Sequence, residues 1–189
     1  MPKRPMLLRL IILALLWMGL ACGPCNLLSS KDTSPTPPHP LPVSTQAAGR
    51  LESRIQQNLT GEPGQQFILS MTDEEITSLV ATKLAEYDES PVADPQIWFT
   101  RGRIYGTGRL VNVLPIETEF YLIAVPRIQD GKVVVEIEKS SAGTLPLPTG
   151  VLDTISQSLN ETVEELQFDV EVTAIEILEG EAIIKGVRK

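Results

Sequence analysis

Between residues 96 and 139 the apolar side chains recur with a period of two, and this alternation constrains the fold more than any other feature. Successive side chains of a β-strand point to opposite faces, so such a pattern predicts strands. Dipeptides Arg101-Gly102 and Asp130-Gly131 supply the residues that tight hairpin turns need. The alternating positions are Phe120, Leu122 and Ala124 in one segment and Val133, Val135 and Ile137 in the next. The sequence therefore predicts an antiparallel meander.

Helical periodicity precedes and follows this meander. Leu51 and Ile55 indicate a short helix over Ala47–Leu59, and Thr72-Asp73-Glu74-Glu75 has the pattern of a capping box that opens a second helix reaching about Glu86. The apolar stripe of that second helix comprises Ile76, Leu79, Val80 and Leu84. A further amphipathic helix is predicted after the turn Leu145-Pro146-Leu147-Pro148, with Val151, Leu152, Ile155, Leu159, Val163 and Leu166 along one side.

The last part of the chain predicts one more hairpin, from Phe168 to Leu178 and from Glu181 to Val187. Each apolar stripe must be covered by another element, so helices and sheet are expected to pack together. The predicted fold class is α+β: a curved antiparallel β-sheet meander packed on two amphipathic helices.

The N-terminus reads as a secretion signal. Residues 1–21 contain Lys3, Arg4 and Arg9, then an apolar run from Leu10 to Leu20 that is shorter than the roughly 20 residues needed to span a bilayer. Residues 22–46 are rich in Pro, Ser and Thr, a composition typical of an extended tether. We therefore expect a signal peptide or N-terminal anchor (1–21), a tether (22–46) and a single α+β domain (47–189).

The tetrapeptide Cys22-Gly23-Pro24-Cys25 has the letters of a redox motif but lacks its setting. A reactive CxxC lies at a helix N-terminus after a buried strand, whereas this one lies between a secretion segment and a Pro-rich tether. Small Ala21 before Cys22 suits lipid modification of Cys22 in a bacterial lipoprotein; an unmodified cysteine in an uncleaved anchor is the alternative. Either way we expect export to the outer face of the bacterial cytoplasmic membrane. Cys25 is expected to be an inert residue of the tether.

Charge and residue content exclude several functional classes. The chain has a formal charge of −8, and without its first 21 residues the remaining 13 basic and 24 acidic residues give −11, which disfavours nucleic acid as a partner. The only histidine, His39, lies in the tether, and no P-loop or HExxH motif occurs. We expect no catalytic residue, no metal site, no cofactor and no enzymatic activity.

Three motifs carry a resemblance to a known family: Asp73-Glu74-Glu75-Ile76, Asp130-Gly131-Lys132-Val133, and the segment from Gly143 to Pro148. On these motifs, over about residues 68–189, the chain resembles YpmS-like and LmeA-like extracytoplasmic proteins, which have been compared with the tubular lipid-binding (BPI-like) superfamily. The resemblance implies a long helix cradled by a curved sheet, with an apolar groove between them for acyl chains. It implies no catalytic residue.

Candidate ligand-binding residues follow from the aromatic pair of the meander and the stripe of the helix after residue 148. One ring of the pair is expected in the core, and the other either lines a groove or lies on the surface. The candidates are Trp98, Phe99, Tyr105, Tyr121, Leu152, Ile155 and Leu159. We expect a membrane-anchored, non-enzymatic domain that binds a lipid or other apolar ligand; the alternative is a protein-interaction or scaffold module of the envelope.

Overall fold

A computed structural model describes residues 35–86, 90–111, 116–143, 145–147, 149–150, 152–153, 156, 160 and 170–189. Cys22, Cys25 and the predicted signal peptide lie outside these residues. The helices are α1 (Thr45–Leu59) and α2 (Asp73–Ala85). The strands are β1 (Gln66–Thr72), β2 (Val92–Thr100), β3 (Arg103–Leu110), β4 (Thr118–Gln129), β5 (Lys132–Ala142), β6 (Val170–Ile177) and β7 (Glu181–Arg188).

Helix α1 begins at Thr45, two residues before the predicted start, because Ser44 caps it. The Ser44 side chain accepts a hydrogen bond from the Ala47 N–H and so satisfies one of the helix's free donors. The inward side of α1 consists of Ala47, Ala48 and Leu51, all at most 3% exposed. The small residues let α1 approach α2 closely.

The predicted capping box of α2 is confirmed. The Glu75 N–H donates to Thr72 Oγ1 at 3.4 Å, and the Thr72 N–H donates to the Glu75 carboxylate at 3.1 Å. The predicted apolar stripe is only half-buried, whereas Thr77 and Ser78 have no exposed surface. Thr77 faces the edge of β2, where it bonds the Ile97 backbone, and Ser78 bonds the backbone of Pro42 and Ser44 before α1.

The predicted meander forms one sheet, in the order β2-β3-β4-β5, with every neighbouring pair antiparallel. Both predicted hairpin turns are confirmed, since Arg101, Gly102, Asp130 and Gly131 all have positive φ. An apolar cluster covers one face at the end where β3 stops and β4 starts. It contains Leu110, Phe120, Ala142 and Leu147, so the Leu-Pro turn contributes a core residue.

A second sheet has the order β1-β7-β6, again with antiparallel neighbours. The predicted last hairpin is therefore confirmed, and β1 extends it on the other side of β7. Phe67 of β1 packs over Gly186 of β7, where a Cβ would lie 2.7 Å from the Phe67 ring. Phe67 is buried with Val170 and Val172, which gives this sheet its own core.

Two backbone hydrogen bonds join the sheets. The Gly180 N–H at the tip of the β6–β7 hairpin donates to the Phe99 carbonyl of β2 at 2.9 Å, and the Val172 N–H donates to the Gly131 carbonyl at 2.7 Å. The α+β class is confirmed, with the strands divided between two antiparallel sheets that do not close into a barrel.

The Pro-rich segment does contribute to the core at one position, contrary to its composition. Leu41 is only 5% exposed, and its N–H and C=O pair with the Gln96 side-chain amide at 2.9 and 3.2 Å. The Gln96 amide satisfies this backbone as a neighbouring strand would, which is why a proline-flanked residue can be buried. His39 is exposed.

The predicted helix after residue 148 lies mostly outside the described residues. Those that are described in it, residues 149, 150, 152, 153, 156 and 160, are helical. Asn160 lies beside β5: its Oδ1 accepts from the Val135 N–H at 3.0 Å and its Nδ2 donates to the Val135 carbonyl at 3.3 Å. In the part of the chain that the structure covers, no helix combines the length and apolar character needed to cross a membrane.

Candidate functional site

The aromatic candidates lie in the four-stranded sheet, and two of them meet. Trp98 and Tyr105 face each other across β2 and β3, with ring centroids 5.4 Å apart and planes inclined by 19°. Trp98 is 3% exposed, whereas Tyr105 is half-buried. This stacked pair packs the sheet, and only its Tyr105 side reaches solvent.

The other two aromatic candidates are separated by the sheet. Phe99 follows Trp98 and therefore points to the opposite face, where it is 3% exposed. Tyr121 lies on the Trp98 face, is also 3% exposed, and has the Lys139 Nζ 5.7 Å from its ring centroid. The aromatic candidates thus divide between both faces and do not line one surface.

One of the three aliphatic candidates, Leu152, lies among the described residues. Leu152 is helical and half-buried. Ile155 and Leu159 lie outside the described residues, as does the candidate lipidation site Cys22.

The described residues form surface depressions, and none of the candidate residues lines either of the following two. One, of about 370 Å³, lies at the β4–β5 turn and is lined by Gln129, Asp130, Lys132, Val133, Val134 and Asn160. The other, of about 350 Å³, is lined by Pro35, Thr36, Asp94, Thr107, Gly108, Arg109, Glu119 and Phe120. Both linings include charged side chains, Asp130 and Lys132 in the first and Asp94, Arg109 and Glu119 in the second.

The acidic residues at the start of α2 are structural, as the capping-box pattern predicted. The Asp73 carboxylate accepts a hydrogen bond from the Phe99 N–H at 2.8 Å and is 7% exposed. Burial raises the pKa of Asp73, and the hydrogen bond from Phe99 only partly offsets that effect. The Asp73 carboxylate therefore serves the backbone of β2.

Glu75 joins the two helices. Its side chain is 7% exposed and forms ion pairs with Arg54 and, at 3.5 Å, with Arg50. Burial acts to raise the pKa of Glu75, but the hydrogen bonds from Arg54 and Thr72 outweigh it and hold the pKa below its ordinary value. Among the described residues, no group of three His, Cys, Asp or Glu side chains is arranged to hold a metal ion.

The outer edge of β2 is closed by groups from α2 and from the β6–β7 turn. Thr77 Oγ1 donates to the Ile97 carbonyl and accepts from the Ile97 N–H, both at 2.9 Å. The Asp73 carboxylate accepts a hydrogen bond from the Phe99 N–H, and the Gly180 N–H donates to the Phe99 carbonyl. Sequence reasoning missed Thr77, because a threonine in a helix gives no signal of the strand it will meet.

No described strand pairs with the outer edge of β1. The backbone of Gln65 is hydrogen-bonded to Arg188, and that of Asp73 to Gly180. Because hydrogen-bonded residues alternate along an antiparallel strand, the backbone groups of Gln66, Ile68 and Ser70 point away from β7. Within the described residues these groups have no hydrogen-bond partner. The Ile68 side chain on this strand is 65% exposed.

Comparison of the chain with protein-family models, with curated proteins and with solved structures found no match.

Proposed function

We propose that this chain is an exported, non-enzymatic domain, anchored at its N-terminus to the outer face of the bacterial cytoplasmic membrane, that binds a protein partner of the cell envelope. The basic and apolar N-terminus and Ala21-Cys22 support the anchor. Structural use of the buried carboxylates Asp73 and Glu75 supports the absence of catalysis.

One observation carries the partner: among the described residues nothing pairs with the outer edge of β1, whereas the comparable edge of β2 is closed. Exposed edges promote unwanted pairing, and proteins usually protect them with charges, prolines or covering elements. Strand β1 reads Gln-Phe-Ile-Leu-Ser-Met-Thr, without a charge or a proline. An edge left both open and uncharged is suited to pairing.

An extended segment of a partner can add to β1 as a fourth strand. The backbone groups of Gln66, Ile68 and Ser70 supply its hydrogen bonds, and the exposed Ile68 side chain offers an apolar neighbour. Arg188 holds the start of the strand: its Nε donates to the Asn58 carbonyl at 2.8 Å and its Nη1 to the Gln65 side chain at 2.6 Å. The edge is therefore positioned before a partner arrives.

Site-specific photocrosslinking in the expressing cell tests this proposal. A photoreactive phenylalanine replaces Ile68 in one full-length variant and Ile128, which is 40% exposed on β4, in a matched control. We expect a discrete protein adduct from position 68 alone, and its loss when Ser70 is also changed to Pro. An adduct of equal yield at both positions, or none at position 68, would contradict the proposal.

A second candidate function, binding of a lipid or other apolar ligand, is supported by the contact of Asn160 with Val135. This contact sets Asn160, a helical residue, beside β5, and the resemblance implies a helix packed on the sheet. Trp98, Phe99, Tyr105, Tyr121, Leu152, Ile155 and Leu159 stay candidates for this ligand. Native mass spectrometry of the detergent-extracted chain checks it: a retained lipid that survives delipidating washes favours this candidate, and its absence opposes it.

Attachment through Cys22 has its own test. Cells expressing the wild type or Cys22→Ser are supplied with a radioactive fatty acid. Label in the wild type alone is the expected result, and equal label in both would refute lipidation at Cys22. In that case membrane sedimentation of the unlabelled chain distinguishes an uncleaved anchor from a released domain.

A further inference from the structure

One end of the four-stranded sheet carries the two most exposed large apolar side chains of the described residues. At this end β3 stops, β4 starts and β5 stops. Ile116, just before β4, is 75% exposed, and Leu145, just after β5, is 69% exposed. Single exposed apolar residues are ordinary, but two on adjacent connections at one end form a distinct apolar tip.

Hydrogen bonds fix the backbone beneath both side chains. Thr118 Oγ1 donates to the Ile116 carbonyl at 3.1 Å, and Ser141 Oγ donates to the Leu145 carbonyl at 2.9 Å. Leu145 also pairs with Ala142, whose N–H donates to the Leu145 carbonyl at 2.7 Å. The Gly143 N–H, which donates to the Glu119 carbonyl at 2.8 Å, holds the two connections together. The backbone carbonyls of Ile116 and Leu145 are therefore both hydrogen-bonded within the domain.

The chain from the N-terminal anchor enters the domain at the same end. Pro35 and Thr36 line a depression together with Asp94, Arg109 and Glu119, which lie near the start of β2, the end of β3 and the start of β4. Residues 23–34 separate Cys22 from Pro35, and even fully extended they reach only roughly 40 Å. An anchored chain that joins the domain here keeps this end within that distance of the bilayer.

Charge at this end does not oppose such a contact. Arg109 forms ion pairs with Asp94, at 2.7 Å, and with Glu117. Its positive charge partly offsets the negative charges of these two carboxylates. The rest of the domain is strongly acidic and has no means of docking on anionic lipid by charge. A contact with the bilayer must therefore be apolar.

We propose that Ile116 and Leu145 insert into the outer layer of the membrane that holds the N-terminus, and so orient the domain with this end of the four-stranded sheet toward the bilayer. The inference rests on the anchored location proposed above. Two side chains make a weak contact alone, but a short tether raises their effective concentration to the millimolar range, in which a weak contact is populated. Strand β1 belongs to the other sheet and stays accessible to a partner.

Fluorescence of an environment-sensitive label tests the orientation. The full-length chain with Cys25→Ser receives one cysteine at a time, as Ile116→Cys or Leu145→Cys, and nitrobenzoxadiazole is attached. Ile68→Cys and Leu178→Cys are matched controls, because these residues are 65% and 46% exposed and lie in or beside the three-stranded sheet. The Cys25→Ser parent, which retains Cys22 as its only cysteine, is labelled in parallel, and its fluorescence is subtracted. Each protein is reconstituted into phosphatidylcholine vesicles and floated on a density gradient.

We expect blue-shifted emission, several-fold brighter with vesicles than without, from positions 116 and 145 and no change from 68 and 178. Proteins that float without any change at 116 and 145 would overturn the orientation and leave the anchor intact. An equal change at all four positions, or a concentration-dependent change at 116 and 145 without vesicles, would also overturn it, the latter indicating a contact between copies. Failure to float would refute the anchor and the orientation together.

Discussion

The Asp73 carboxylate and the Phe99 backbone N–H are 2.8 Å apart and lie 26 positions apart in the chain. This hydrogen bond fastens the start of α2 to the edge of β2, next to the Gly180 N–H that serves the Phe99 carbonyl. The edge of the larger sheet is therefore closed by single side chains and by one hairpin tip from the smaller sheet. The stability of both sheets depends on these few contacts.

Removal of the Asp73 or Thr77 side-chain oxygen is expected to be costly. Asp73→Ala leaves the buried Phe99 N–H without a partner, and Thr77→Val leaves both backbone groups of Ile97 without one. Each should lower the free energy of unfolding by about 1–3 kcal/mol, the usual cost of an unsatisfied buried polar group. Urea denaturation measures it. Glu74→Ala, at a side chain that is 43% exposed, is the control and should cost less.

Asp73 and Glu75 are expected to give stability profiles with opposite slopes in pH. Because the folded pKa of Glu75 is lowered from 4.5, its stabilisation is present above that value and is lost as pH falls through the folded pKa. The folded pKa of Asp73 is raised from 3.8, so its contribution is largest below that value and declines as pH rises through the folded pKa.

Denaturation at a series of pH values measures both slopes. Glu75→Gln should have a lower free energy of unfolding than wild type, and this difference should grow between about pH 3 and about pH 6, as the carboxylate ionises. The free energy of unfolding of Asp73→Asn relative to that of wild type should instead rise over the same interval, because the wild type loses the contribution of Asp73 as its carboxyl group ionises. Parallel curves for the two variants would contradict the assignment.

Release of Leu41 is expected when Gln96 loses its amide. Gln96→Ala removes both hydrogen bonds that hold the Leu41 backbone, at 2.9 and 3.2 Å. Hydrogen exchange followed by mass spectrometry should show faster exchange in the peptide covering residues 35–44, with little change in α1. Gln96→Glu keeps an acceptor for the Leu41 N–H and should give an intermediate rate. Unchanged exchange in Gln96→Ala would indicate that the burial of Leu41 alone holds the segment.

Two glycine-to-alanine substitutions are expected to act in opposite directions. A Cβ at Gly186 would lie 2.7 Å from the Phe67 ring and would also collide with the Glu171 carbonyl, so Gly186→Ala should destabilise the three-stranded sheet by about 1–3 kcal/mol. A Cβ at Gly49 has no neighbour within 4 Å, and Gly49→Ala in α1 should stabilise by about 0.5–1 kcal/mol. Thermal unfolding by circular dichroism measures both.

Local signals in the sequence predicted much of this fold. Thr72 and Glu75 carry a capping box in their spacing alone, and the hairpin at Asp130-Gly131 follows from residues that tolerate positive φ. The division of the strands into two sheets was not predictable in this way, because the pairing of β1 with β7 joins residues more than a hundred positions apart. No local pattern encodes such a register.

The candidate site was predicted less well, for a related reason. Trp98, Phe99 and Tyr121 are conspicuous as aromatics, but composition does not distinguish a ring that packs a core from one that lines a groove, and all three are 3% exposed. Leu41 was missed because prolines surround it, and its burial depends on Gln96, 55 positions away. Ile68 and Leu145 are exposed apolar residues in the structure. In the sequence nothing distinguishes them from apolar residues that are buried.

The closed edge of β2 also bears on how this protein behaves when it is damaged. That strand reads Gln-Ile-Trp-Phe-Thr over residues 96–100, an aromatic and β-branched run without a charge. Such segments stack readily into intermolecular cross-β assemblies once their backbone is freed. Helix α2 covers this segment through Thr77 and Asp73, and loss of those contacts would free its backbone for such pairing between copies.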